Sequence, residues 1–180
     1  GDCLMGVLVT KEEFNLRSKL NELNFSTVPY EKMPPGTVIQ HVYNQTRSNG
    51  HMTTTSTSFA DMSYSVSITP HFSNSLLLIE WQGIAQQPNT HHSVSIITVY
   101  RNNTTNLGDT QSFNGMSATG EFASNGAKYV TASNNFFVYD EPGTTQKVSY
   151  HIWGKTSSSG TAYISHTGVT NCLSVKEIRQ

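Results

Sequence analysis

From Thr37 to Gln180 the chain holds no stretch of useful length with helical periodicity. Nine short segments with strand character recur there instead, at 38–43, 64–68, 76–82, 94–100, 128–131, 136–139, 147–153, 161–165 and 172–178, bounded by Gly, Asn, Ser and Pro. In Tyr64-Ser65-Val66-Ser67-Ile68 and in Val148-Ser149-Tyr150-His151-Ile152 every second residue is apolar. Period two sends alternate side chains to opposite faces, so Tyr64, Val66, Ile68, Val148, Tyr150 and Ile152 point inward. Leu76-Leu77-Leu78-Ile79 is apolar throughout and reads as a strand buried on both faces. Many short strands with polar turns and no helix between them predict an all-β fold, an antiparallel β-sandwich or jelly roll spanning residues 37–180. The last strand sets Leu173, Val175 and Glu177 against Cys172, Ser174, Lys176 and Ile178, and is expected to be central to the fold. Segments 46–58 and 108–126 read as long loops, and loops of that length are functional or lie in an interface.

Residues 1–36 differ in composition and read as a separate tether. Residues 1–9 form a small apolar arm. Thr10-Lys11-Glu12-Glu13 is a capping box, in which the Thr10 hydroxyl accepts from the Glu13 amide and the Glu13 carboxylate reaches back. The helix formers of 11–24 follow, with Leu16, Leu20 and Leu23 in one stripe. A helix of that length is marginal alone in water, so the stripe must dock on its own domain or on copies of itself. Residues 28–36, with Pro29, Pro34, Pro35 and Gly36, read as an extended linker. On this reading Leu4, Met5, Val7, Leu8 and Val9 contact a partner protein, and Leu16, Leu20 and Leu23 serve self-association.

Charge narrows the function classes. Eleven Lys and Arg stand against twelve Asp and Glu, a formal net charge of −1. Without a basic excess there are few counterions to release from a phosphate backbone, so nucleic acid is not the expected partner. No apolar run is long enough to cross a membrane as a helix. Residues 1–11 carry Asp2 and no basic segment, so they do not read as a secretion signal. Ser, Thr and Asn make up about a third of the chain, the balance of a β domain with polar loops. Two cysteines, Cys3 and Cys172, cannot form a disulfide framework and read as reduced thiols. Sequons at Asn24, Asn44, Asn102 and Asn103 are expected by chance in such a composition.

No catalytic, cofactor or metal constellation is predicted. His91 and His92 are adjacent, and in a strand they would point to opposite faces. The seven histidines show no His-x-x-x-His spacing, although a threefold axis would still bring three copies of one histidine together. Asp140-Glu141 before Pro142-Gly143 reads as a turn rather than a pair of catalytic acids. No Gly-x-Ser-x-Gly elbow, Walker loop or dinucleotide fingerprint occurs. Trp81 and Trp153 lie in strands and read as core, with a sugar-stacking platform as the sharper alternative. Exposed Tyr, Asn, Gln and Ser suit hydrogen bonds to sugar hydroxyls. A glycan-cleaving enzyme would need converging carboxylates, and few acids follow residue 36.

A series of short pieces then carries a resemblance. Pro35-Gly36-Thr37-Val38-Ile39-Gln40 opens it, followed by Thr55-Ser56-Thr57-Ser58-Phe59-Ala60-Asp61, Ser65-Val66-Ser67-Ile68-Thr69-Pro70 and Ser73-Asn74-Ser75-Leu76-Leu77-Leu78. Tyr100-Arg101-Asn102-Asn103-Thr104, Tyr139-Asp140-Glu141-Pro142-Gly143-Thr144-Thr145, Gly160-Thr161-Ala162-Tyr163-Ile164 and Val175-Lys176-Glu177-Ile178 complete it in order. The series resembles a β-sandwich domain of tailed-phage virion proteins, common at the C-terminus of tail-fibre-like proteins of marine and cyanobacterial phages. The resemblance covers residues 35–180. It implies a non-enzymatic, homotrimeric knob on the virion surface, similar to the jelly rolls of complement C1q and tumour necrosis factor. Two roles are expected from it. The first is the receptor-binding tip of a tail fibre, whose partner would be a host surface glycan. The second is a capsid cement (decoration) protein held to the head by its N-terminal arm.

Overall fold

A computed structural model describes residues 29–86, 94–108, 115–120, 131–158 and 160–180. Chain contacts separate two compact units, Gly1–Met33 and Pro34–Gln180. The arm residues Leu4, Met5, Val7, Leu8 and Val9, the stripe Leu16, Leu20 and Leu23, and His91 and His92 lie outside the described residues.

Within the expected linker 28–36, the described residues 29–36 are not uniformly extended. Tyr30–Lys32 closes a single 3-10 turn, with the Lys32 amide on the Pro29 carbonyl at 2.9 Å and the Met33 amide on that of Tyr30 at 3.2 Å. Pro29 has the fixed φ that suits the residue leading into such a turn, and Pro34 follows where the chain leaves it. Pro34 to Thr37 already belong to the sandwich: the Gly36 amide donates to the Arg179 carbonyl at 2.7 Å, and the Arg179 amide to that of Thr37 at 2.9 Å.

The second unit is all β. Its strands are β1 (Val38–Arg47), β2 (Met52–Thr54), β3 (Ala60–Ile68), β4 (Leu76–Gln86), β5 (Val94–Arg101), β6 (Thr105–Asn106), β7 (Ser117–Gly120), β8 (Thr131–Asp140), β9 (Val148–Thr156), β10 (Ala162–Ser165) and β11 (Thr170–Ile178). The first sheet runs β1-β11-β4-β8, with β10 joining β4 beside the end of β11 and β2 flanking β10. The second runs β3-β9-β5, with β6 and β7 on the far side of β5. All these pairings are antiparallel. With the short β2, β6 and β10 set aside, the eight remaining strands, renumbered in chain order, fall as 1-8-3-6 and 2-7-4-5. That order is a jelly roll.

The core lies between the sheets. Leu77, Ile79, Trp81 and Ala85 of β4 and Leu173 and Val175 of β11 are fully buried against Val99 of β5 and Tyr150 and Ile152 of β9. The expected alternation holds for Tyr64, Val66 and Ile68 and for Val148, Tyr150 and Ile152, all buried. The strand buried on both faces is β5, not β4. Leu77 and Ile79 are buried, but Leu76 and Leu78 are only half so. Every residue from Val94 to Val99 is buried: Ile97 and Val99 belong to the core, and Gly108 and Gly115 bring the chain close against the side chains of Thr98 and Ile96 on the other face. The amides of Leu107 and Met116 bond the carbonyls of Val99 (2.9 Å) and Ile97 (2.8 Å). A Cβ on Gly115 would meet the Ile97 carbonyl oxygen at 2.4 Å, so only glycine permits that approach.

β2 lies within the expected loop 46–58 and β7 within the expected loop 108–126. Their Thr- and Ser-rich sequences carry no apolar alternation, and their partners β10 and β5 supply the pairing. Of the expected strand 128–131, residues 128–130 lie outside the described residues, and Thr131 opens β8.

Two buried carboxylates close the sandwich. Glu177 of β11 is fully buried on the inner face. Its Oε1 accepts from the amides of His71 (2.7 Å) and Phe72 (3.3 Å) and from the Ser75 hydroxyl (2.6 Å), and its Oε2 lies 2.9 Å from His71 Nδ1. With its amide nitrogen turned inward, Gln40 donates to Glu177 Oε2 and to the Thr69 carbonyl, both at 3.2 Å. Asp140, expected in a turn, ends β8 and joins the two sheets. It takes Arg101 Nη1 at 2.8 Å and the Tyr150 hydroxyl at 2.7 Å. Glu141 is exposed, so the two acids do not form a paired site.

Candidate functional site

The outer face of the first sheet follows from register. Across the strands, Gln45, Cys172, Gln82 and Asn135 form one row, Tyr43, Ser174, Glu80 and Phe137 the next, and His41, Lys176, Leu78 and Tyr139 a third. Each row begins on the edge strand β1 and ends on the edge strand β8. The centre is polar and self-neutralising: Lys176 Nζ lies 2.6 Å from Glu80 Oε2, which also accepts the Ser174 hydroxyl at 3.3 Å. Both charged side chains are about one-third exposed, so the pair adds little stability and leaves no net charge on the face.

The flanks of this face are aromatic. Tyr43 is 62% exposed on β1, and Phe137 and Tyr139 are 67% and 52% exposed on β8. The Phe137 and Tyr139 rings meet edge to face at 6.1 Å, and the His41 and Tyr43 rings lie 5.7 Å apart. A shallow groove of about 330 Å³ runs between the β1 aromatic and the ion pair, floored by Ser174 and Cys172. Burial, and then the Glu80 charge, push the Cys172 thiol above its ordinary range, so it stays protonated and is a poor nucleophile. The face thus carries large exposed rings on both flanks of a neutral centre.

The two tryptophans separate. Trp81 is fully buried and stands edge-on to Tyr64, at 5.4 Å between ring centres. Trp153 lies half-buried, stacks on Tyr100 at 4.2 Å and 24°, and gives its Nε1 hydrogen to Asn103 Oδ1 at 3.2 Å. Lys155 sits 4.6 Å over the Phe59 ring beside this stack. Among the described residues no three His, Cys, Asp or Glu side chains come together to hold a metal ion. No described helix is long and apolar enough to cross a membrane.

The candidate face was only half legible in the sequence. Alternation puts Tyr43 with His41 and Gln45, but Phe136 and Phe137 are neighbours, and period two alone does not say which points out. The pairing of Glu80 with Phe137 decides it. No protein-family model matches the chain, and a search of curated proteins finds no match.

Proposed function

We propose that the chain is a non-enzymatic virion protein of a tailed phage, a homotrimeric knob on the particle surface that serves as the receptor-binding tip of a tail fibre. The observation that carries this reading is the outer face of β1-β11-β4-β8, with aromatic rings on opposite edges of a neutral centre. Such a face suits a head-to-tail contact in which the β8 rings of one copy meet the β1 flank of the next, and closed rings are the common outcome of contacts that close. The ordered series of sequence pieces from Pro35 to Ile178 supports the phage assignment. The partners are then two further copies of the chain, other virion proteins and a host surface glycan.

A second reading keeps the trimer and changes its place. The apolar arm and capping-box helix read from the sequence of residues 1–24 also suit a clamp onto a capsid. Gold-labelled antibody against the Pro34–Gln180 unit distinguishes the two on intact particles. Label at the tail supports the fibre tip; label over the head replaces it with the cement protein.

A further inference from the structure

Beyond the trimer face, a second concavity of about 360 Å³ opens where the end of β1 passes the bulge of β3. Its walls belong to one protomer and are held on every side. The β3–β9 register slips between Asp61 and Tyr64, and Ser63 in that bulge takes a left-handed backbone, φ 56°, unusual for a residue with a side chain. The Ser63 amide donates to Asp61 Oδ1 at 2.8 Å, and Asp61 Oδ2 lies 3.7 Å from His151 Nδ1. The Tyr64 hydroxyl shares its one hydrogen between the carbonyls of Asn44 (2.8 Å) and Asn171 (3.0 Å), which fixes its ring. The Ser48 amide bonds the Val169 carbonyl at 2.9 Å and anchors the opposite rim.

The lining has two characters. Met52, Met62 and Tyr64 give an apolar wall continuous with the core. Arg47, Asn49 and Ser63 give a polar rim. Asn171 also lines the cleft at 1% exposure; its amide donates to Ser165 Oγ at 2.6 Å, and its Oδ1 lies on the β4 side, beside Gly83. Arg47 is an unspent cation at this rim. Arg101 and Lys176 are in ion pairs, and Lys155 and Arg179 lie over aromatic rings, but Arg47 has no carboxylate within ion-pair distance among the described residues.

We infer that this cleft binds an acidic sugar, a hexuronate unit of a polysaccharide. A pyranose offers a flat array of C–H groups to an apolar wall and hydroxyls to a polar rim. Its carboxylate is the group that a guanidinium holds through two parallel hydrogen bonds. The volume falls in the range of small-molecule sites and suits one ring. The site gives the receptor-binding reading a ligand class, yet it stands or falls alone: uronate binding by a monomer leaves it intact and removes only the trimer.

Titration calorimetry on the full chain with sodium glucuronate, sodium galacturonate and glucose tests it. At least one uronate should bind with Kd on the order of millimolar, at least tenfold tighter than glucose, and weaken with added salt. Arg47→Gln should lose that tenfold preference, while Lys147→Gln, a second exposed cation away from the cleft, should keep it. An unchanged circular-dichroism spectrum and melting temperature verify that both variants are folded. If neither uronate exceeds glucose, or if Arg47→Gln binds as the parent does, the inference is overturned.

Discussion

The Glu177 carboxylate accepts the Ser75 hydroxyl at 2.6 Å, joining the end of the last strand to the turn before β4 across 102 residues of chain. A fully buried carboxylate is tolerable only when its lone pairs are met, and here the His71 and Phe72 amides and the Ser75 hydroxyl converge on one oxygen. Glu177→Gln keeps one accepting oxygen for the two amides and Ser75 but replaces the other with an NH2 that faces the Gln40 amide nitrogen and removes the charge beside His71. Its expected cost is about 2–4 kcal/mol. Ser75→Ala leaves both amide bonds and should cost about 1–2 kcal/mol. Urea unfolding of the two variants measures both, and equal stability of Glu177→Gln and the parent would remove this contact as a lock.

β11 pairs with β1 on one side and β4 on the other, so it is the spine of the first sheet. Cutting the chain after Thr170 would leave both neighbours with open edges and strip Glu177 from its turn. The truncated protein should be found in the insoluble fraction. A soluble, folded truncation would show that the strand is dispensable.

Burial, and then the bond to Asp140, push the Tyr150 phenol far above its ordinary range, and burial also raises Tyr64. A raised folded pKa favours the protonated form in the native state. Its contribution is complete below the unfolded phenol value of about 10 and is lost as pH rises through the folded value. Above pH 10 the folding stability should therefore fall by about 1.4 kcal/mol per pH unit on account of Tyr150, with Tyr64 acting in the same direction. Tyr150→Phe should begin about 1–2 kcal/mol lower at neutral pH, from the lost hydrogen bond, and show a shallower alkaline decline. Denaturant midpoints between pH 8 and 11 read both effects.

How much of this the sequence discloses depends on range. Alternation in 64–68 and 148–152 is local, and it identified the inward faces. Glu177 is different: it falls in phase with Leu173 and Val175, yet its charge argues for solvent, and the donors that make it tolerable inside lie more than a hundred residues away. The double burial of β5 is likewise set by the approach of the chain at Gly108 and Gly115 rather than by its own pattern, which is no more apolar than 76–79. The exposed aromatics were readable as residue types but not as a face, because the face is assembled from β1 and β8 by the register through β11 and β4. Arg47 carried no sequence signal. Its cleft exists only where a bulge in β3 meets the end of β1.

Removing residues 1–27 should leave the sandwich folded, because Pro34–Gln180 is a compact unit with its own core. On the tether reading the shortened chain stays trimeric but no longer attaches to particles. Analytical centrifugation and co-sedimentation with virions check the two halves of that expectation separately. A shortened chain that still coats particles would assign attachment to the sandwich.

The self-association face is the centre of this account, and light scattering coupled to size exclusion tests it most directly. The full chain should elute at about three times its 19.8 kDa mass. Phe137→Glu, which places a charge among the exposed rings of β8 without touching the core, should shift the mass toward one chain while leaving the melting profile of the sandwich recognisable. A parent chain that remains a monomer at micromolar concentration, or a Phe137→Glu variant as trimeric as the parent, would contradict the account.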